Sequence, residues 1–241
     1  HRLAELEAEK EQWRQREHLA QLGDLSRGLA HTLRNPLHTL GLAVEELAGG
    51  EAQRLALVAT ARAQIRRIDR WLRSFLALGA GDSARPEAAD LGEIARAVVL
   101  ESVQEGAEVV VEGLESPLPL RVVPGAVRAA LANLVENATD VTPPGAAVTL
   151  DLREDEGWAV VRIADSGPGL PPEVKERLFH PHVTTKVGGS GMGLFLARQL
   201  LVGMHGGELE VADRDGGGTV VTVRLPIARG VEPGSDGQGR A

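Results

Sequence analysis

The sequence predicts a multi-domain chain, α followed by α+β. An antiparallel helical hairpin that forms a dimeric four-helix bundle is followed by an α/β sandwich. Three observations carry this. Up to about residue 78 the apolar residues recur three and four apart, with one short break at Ala48-Gly49-Gly50-Glu51. From about residue 90, strand-like and helix-like stretches interleave. Between them, Gly79 to Pro86 reads Gly-Ala-Gly-Asp-Ser-Ala-Arg-Pro, a linker composition.

Residues 1–30 form one helical pattern, with Leu3, Leu6 and Trp13, then Leu19, Leu22, Leu25 and Leu29, as on a helix seam. Over its first eighteen residues a solvated charged helix and a coiled coil fit equally. Pro36 lies inside the pattern and is expected to kink it, since it lacks a backbone donor and crowds the carbonyl four residues back. The pattern resumes through Leu37, Leu40 and Val44. After the break, a second helix to about Leu78 carries Leu55, Val58, Ile65, Ile68, Leu72 and Phe75 on one face. One hairpin cannot bury both apolar stripes, but two hairpins can, so a homodimer is expected. The expected divisions are an N-terminal signalling helix over 1–19, a helical domain over 20–79, a linker over 80–89, a second domain over 90–228 and a disordered tail over 229–241. In the second domain, helices are expected near 91–103, 124–140, 172–178 and 191–204. Strands are expected near 107–112, 119–123, 146–153, 158–164, 207–212 and 218–225.

Bulk properties narrow the function. The chain has 241 residues, room for two small domains. Its net charge of -8 argues against a nucleic-acid partner. It has no cysteine, so no disulfide framework and no thiolate metal site. No apolar run approaches the roughly 18 residues of a membrane span. No signal peptide is visible. The chain opens at His1 within a helical pattern, and reads as a cytoplasmic fragment whose upstream sensor domain or membrane anchor is missing.

Three boxes carry chemistry. Asn133 and Asn137, four apart on a helix, share a face, and an amide oxygen is a good neutral ligand for Mg²⁺. Asp165-Ser166-Gly167-Pro168-Gly169 ends a strand; its carboxylate can accept from an exocyclic amine such as that of adenine, and its glycines let backbone approach a ring. Gly188-Gly189-Ser190-Gly191-Met192-Gly193-Leu194 opens a helix, where free N–H groups favour phosphate oxygens. No Gly-Lys-Ser/Thr follows, so it is not a P-loop. Alone, each box has an ordinary structural reading: two polar surface residues, a turn, a glycine hinge.

In this order the boxes resemble the N, G1 and G2 boxes of the ATPase domain shared by histidine kinases, gyrase-type topoisomerases, the Hsp90 chaperones and MutL. Leu178-Phe179-His180-Pro181-His182-Val183-Thr184-Thr185-Lys186 resembles the F box and short lid of histidine kinases. The strand ending Gly218-Thr219-Val220-Val221-Thr222-Val223-Arg224-Leu225-Pro226 looks like the family's closing strand. The resemblance covers roughly residues 20–226. It implies ATP and Mg²⁺, with adenine on Asp165 beside Gly167 and Gly169. Mg²⁺ would sit on Asn137, with Asn133 supporting or ligating. Gly189, Gly191, Gly193 and Leu194 would line the phosphates, and Thr185 and Lys186 would reach them from the lid. His182 stands where the family usually has Phe, which bears on how the lid packs. Asn133 stands where hydrolysing relatives carry Glu. An amide cannot act as a general base, so phosphoryl transfer to another group is expected rather than fast ATP hydrolysis.

His31-Thr32-Leu33-Arg34-Asn35-Pro36-Leu37 resembles the phosphoacceptor H box of dimeric histidine kinases. The resemblance implies that His31 takes the γ-phosphoryl and passes it to an Asp of a response-regulator receiver domain. His38, two turns on, is the competing acceptor without the motif. Thr32 departs from the family, which usually has Glu or Asp there to accept the other imidazole proton. Three readings stay open: a slow kinase, substitution by a water or another carboxylate, or an engineered change. Asn35 matches the position that orients water for dephosphorylating the regulator. The alternative function is a nucleotide-binding pseudokinase or phosphotransfer scaffold with weak kinase activity. A stand-alone ATPase is the third.

Overall fold

The computed structural model describes residues 33–44, 51–80, 84–113, 116–186 and 189–227. The chain divides into two compact units, His1–Trp71 and Leu72–Ala241. The expected helix over 1–30, His31, Thr32, the Gly49-Gly50 break and the tail beyond 227 lie outside the described residues.

In the first unit, residues 33–44 are helical (α1) and α2 starts at Glu51. Pro36 does not end α1. Thr39 donates its hydroxyl to the Asn35 carbonyl at 3.1 Å, and Thr60 does the same to Ala56 at 3.1 Å, so these threonines bond within the helix rather than compete with it. The Arg67 guanidinium lies 5.0 Å from the Trp71 ring centre, one turn apart on α2. The apolar stripe of α2 is exposed in the single chain, with Leu55 at 68% and Ile65 at 57%.

α2 spans Glu51–Ala80, so its last turns belong to the second unit. There the buried positions are Ser74 and Leu78. β1 (Glu87–Asp90) pairs antiparallel with β3 (Pro119–Val122), Glu87 opposite Val122. The sequence reading had placed 80–89 in a linker. Ala80 is instead still helical, and Glu87–Asp90 is a strand of the second unit. Glu-Ala-Ala-Asp has little strand propensity of its own; the partner strand defines it. Asp90 locks the junction. Its Oδ1 accepts from Gly92 N at 3.0 Å, capping α3 (Leu91–Gln104), and from Leu118 N at 2.9 Å.

The main sheet has five strands in the order β2 (Val109–Glu112), β4 (Val148–Asp155), β5 (Trp158–Ala164), β7 (Thr219–Pro226), β6 (Glu208–Asp213). β2 runs parallel to β4, and the other pairs are antiparallel. Alternate residues Val148, Leu150 and Leu152 of β4 face a layer of helices, as do Ala159, Val161 and Ile163 of β5. α4 (Pro124–Thr139) is the centre of that layer and packs on α3, α6 (Gly193–Arg198), β4 and β5. Its core face is Ala126, Val127, Ala130, Leu131, Leu134, Val135 and Ala138, all buried. The core is thus built from Leu, Val, Ile and Ala, as the scarcity of aromatics requires.

Two helices differ from the sequence expectation. α5 covers only Pro172–Lys175; beyond it Arg177 N bonds to Val174 O and His180 N to Arg177 O, three-residue turns instead of α-helix. α6 covers Gly193–Arg198 and widens into a π-turn over Gln199–Gly203, where Met204 N donates to Gln199 O at 3.0 Å. His205 explains the widening: its Nδ1 takes the Leu200 carbonyl at 2.6 Å, drawing that carbonyl out of the α-helical ladder.

Candidate active site

α4 begins with Pro at its first position, and Val123 N–H is taken by His205 Nε2 at 3.0 Å. This fixes the helix that carries both asparagines. Asn133 is buried, and its Nδ2 donates to Ser74 Oγ at 3.0 Å. Its Oδ1 is buried without a partner among the described residues. Asn137, one turn on, is half-buried at the end of the helix. Lys186 Nζ approaches its Oδ1 at 3.4 Å and its carbonyl at 3.3 Å, and pairs with Asp140 Oδ2 at 2.9 Å. A Cβ on Gly193 would come within 3.2 Å of Asn137 Nδ2. The start of α6 therefore stands directly against the Asn137 side chain.

Asp165 closes β5 and is buried. Its Oδ1 accepts from Gly167 N at 2.8 Å and Thr219 N at 3.1 Å. The second carboxylate oxygen takes no part in these bonds. Two backbone donors on one oxygen fix the orientation of the carboxylate. Behind it, Arg214 Nη1 donates to Asp165 O at 3.0 Å and Ser166 Oγ at 2.8 Å. Gly218 has φ 103, and a Cβ there would strike the Asp165 carbonyl oxygen, so only glycine lets β7 pass. A Cβ on Gly167 would come within 2.8 Å of Val141 Cγ2, which places the Asp165 loop beside the end of α4. The N-box and G1 residues thus meet at one place.

The lid is pinched at its ends. His182 N donates to Gly191 O at 3.1 Å, and a Cβ on Gly191 (φ 64) would collide with the His182–Val183 backbone. Gly189 N donates to Lys186 O at 3.0 Å, and Ser190 Oγ accepts from Met192 N at 3.2 Å. His182 is exposed in a left-handed conformation with φ 66, one that His adopts more readily than bulky apolar residues. Phe179 is the aromatic that ties the segment down, with the Arg198 guanidinium 5.2 Å from its ring centre. Thr185 is exposed, and Gly169 and Leu194 are half-buried.

Among the described residues no cluster of three His, Cys, Asp or Glu could hold a metal. The oxygens of Asn137 and Asp140 already converge on one cationic group, however. An amide and a carboxylate oxygen beside the glycine-rich start of α6 fit a hard cation such as Mg²⁺.

Residues 123–229 match the family described as histidine kinase-, DNA gyrase B-, and HSP90-like ATPase. The sensor histidine kinase ZraS of Klebsiella oxytoca is 31% identical over 222 residues, 88% of this chain and 47% of that protein. A mycobacterial sensor histidine kinase, MprB, matches in structure with TM-score 0.53 and 29% identity, over 59% of this chain and 97% of that one. Residues 123–229 thus carry this ATPase domain, and over most of its length the chain is similar to sensor histidine kinases. It spans about half the length of the curated relatives it matches. For the fold alone, histidine kinase ThkA in its complex with response regulator protein TrrA aligns with TM-score 0.65 at 22% identity, over 88% of this chain and 64% of that one.

The ATPase-like domain brings Asn137, Asp165, Gly167, Lys186, Gly189, Gly191 and Gly193 near one another. Asn133 points its amide at Ser74. Asn35 and His38 are exposed on α1 in the first unit. Sequence reasoning missed Asp140, Arg214 and Ser74. Asp140 had a signal, a carboxylate three residues after Asn137 on the same helix end. Arg214 and Ser74 had none, because their partners lie 48 and 59 residues away.

Proposed function

We propose that the chain is the cytoplasmic core of a sensor histidine kinase that phosphorylates His31 from ATP and hands the phosphoryl to an Asp of a response regulator. The observation that carries this is the Asp165 carboxylate. One of its oxygens is held by two backbone donors; the other is directed for an adenine amine, beside an Asn137–Gly193 contact suited to the phosphates. In the transfer, a neutral imidazole nitrogen of His31 attacks the γ-phosphorus. The bond from that phosphorus to the ADP oxygen breaks, ADP leaves, and the imidazole proton passes to solvent. Asn133 offers no base to activate water, so the phosphoryl reaches histidine rather than hydroxide. Asn137, with Asn133 in support, is the amide set for Mg²⁺, which when bound supplies charge neutralisation to the phosphates. The glycine-segment amides orient the phosphate oxygens, and Thr185 and Lys186 reach them from the lid.

Two further features support the wider reading. The exposed stripe of α2, Leu55, Val58 and Ile65, gives a second copy of the chain an apolar face to cover, consistent with a homodimeric bundle. Histidine kinase ThkA, whose fold this chain shares, is found in complex with a response regulator protein, and a protein of that class is the partner proposed for this chain. Among the described residues no helix is long and apolar enough to cross a membrane. Thr32 favours a second reading, a nucleotide-binding pseudokinase or scaffold, because Thr cannot take the imidazole proton.

The exposed Asn35 amide belongs to the opposing reaction, hydrolysis of the regulator's aspartyl phosphate, where it orients the attacking water and inorganic phosphate leaves. Purified receiver domains phosphorylated by acetyl phosphate should lose the phosphoryl faster with this chain present. Asn35→Ala should reduce that acceleration about tenfold or more. An unchanged rate would remove Asn35 from the mechanism.

A further inference from the structure

The oxygens expected to face a metal ion are engaged by the chain's own lysine. Lys186 Nζ lies 2.9 Å from Asp140 Oδ2, 3.3 Å from the Asn137 carbonyl and 3.4 Å from Asn137 Oδ1. A carboxylate, a peptide carbonyl and an amide oxygen, all from the end of α4, thus surround one cation. The short bond is to Asp140, and the two to Asn137 are at the long limit for N–H···O bonds. Asp140 therefore holds the ammonium, and Asn137 is drawn on by proximity. The same oxygen types are those a divalent cation prefers. A lysine ammonium and a metal ion cannot share them, since like charges at such separation repel strongly. The Lys186 backbone is fixed by Thr184 Oγ1, which accepts its N–H at 3.1 Å, and by Gly189 N on its carbonyl. Exchange at the subsite is then a movement of the side chain alone.

We propose that Lys186 is the resident cation of the metal subsite when nucleotide is absent, that Asp140 is the carboxylate that keeps it there and completes the oxygen set, and that metal–nucleotide enters by exchange for the ammonium. This rests on the ATP-site reading above and adds a gate to it. The released ammonium becomes available to phosphate only once the metal has arrived. Free metal ions are held weakly, because each must displace a tethered positive charge.

An ordinary exposed ion pair would leave metal binding unaffected, which separates the two readings. Binding of Mn²⁺ to the nucleotide-free chain is followed by loss of the hexaaqua EPR signal. Lys186→Met should bind roughly three- to tenfold more tightly than the wild type. Lys186→Arg, which keeps the charge, should bind as weakly as the wild type. Adding Asp140→Asn to Lys186→Met should abolish the gain. Equal binding by Lys186→Met and wild type, or a gain that survives loss of the Asp140 charge, would overturn the proposal. A fluorescent ATP analogue with Mg²⁺ is titrated on the same samples. If the wild type fails to bind it, the ATP-site reading itself falls. If it binds while Mn²⁺ shows no gain, only the exchange falls.

Discussion

His205 ties together two ends of the helical layer. Its Nε2 accepts the Val123 N–H at 3.0 Å and its Nδ1 lies 2.6 Å from the Leu200 carbonyl. Only the neutral ring with its proton on Nδ1 can do both. Burial pushes the pKa below the ordinary 6.5, and the Leu200 bond opposes that in part. The unfolded chain therefore takes up a proton near pH 6.5 that the folded chain resists. The contribution of His205 to stability is full above that pH and is lost as pH falls through the lowered folded value. The urea midpoint should drop between pH 7.5 and roughly 5.5. His205→Asn should be less stable at pH 7.5 and show a flatter profile over that range. Parallel profiles for the two proteins would contradict the assignment. Other residue roles were equally hard to read in advance. Arg214 sits in an Asp-Arg-Asp-Gly turn that belongs to no motif, and its bonds to Asp165 and Ser166 exist only once β6 and β7 have paired.

At the scale of elements, α4 was legible because everything about it is local. Pro124 opens it, apolar residues follow at helical spacing, and Asn133 and Asn137 fall one turn apart. The long strands β4, β5 and β7 were legible for the same reason, since their β-branched and apolar runs of strand length are in the residues themselves. β1 was not, because Glu-Ala-Ala-Asp becomes a strand only against β3. The π-turn after α6 was not, because it depends on His205 reaching Leu200. α2 makes a prediction of its own. Its Leu55, Val58 and Ile65 fit the spacing of a buried stripe yet lie exposed in the single chain. Covered by a second copy, each such side chain contributes about 1.5–3 kcal/mol. Leu55→Glu with Ile65→Glu should therefore convert a dimer to a monomer in sedimentation at micromolar concentration, with ATP binding retained. A wild type that is already monomeric, or a variant that remains dimeric, would contradict the bundle.

At the scale of the whole molecule, the proposed reaction needs both the ATP site and a histidine more than a hundred positions earlier in the chain. The site half is built from residues the structure places together: Asp165 on its two amides, Asn137 against Gly193, Lys186 on Asp140. The acceptor half is read from the residues around His31 and from kinship with the histidine kinases. Thr32 is where the two proposed readings part, because under the proposed transfer it would bear on how readily the imidazole gives up its proton, not on whether ATP binds. The measurement that decides is incubation with γ-labelled ATP and Mg²⁺, followed by acid and base treatment of the protein, with His31→Gln alongside. The account predicts an acid-labile, base-stable label on the wild type and none on His31→Gln. Tight ATP binding with no label, or a label that persists in His31→Gln, would contradict it.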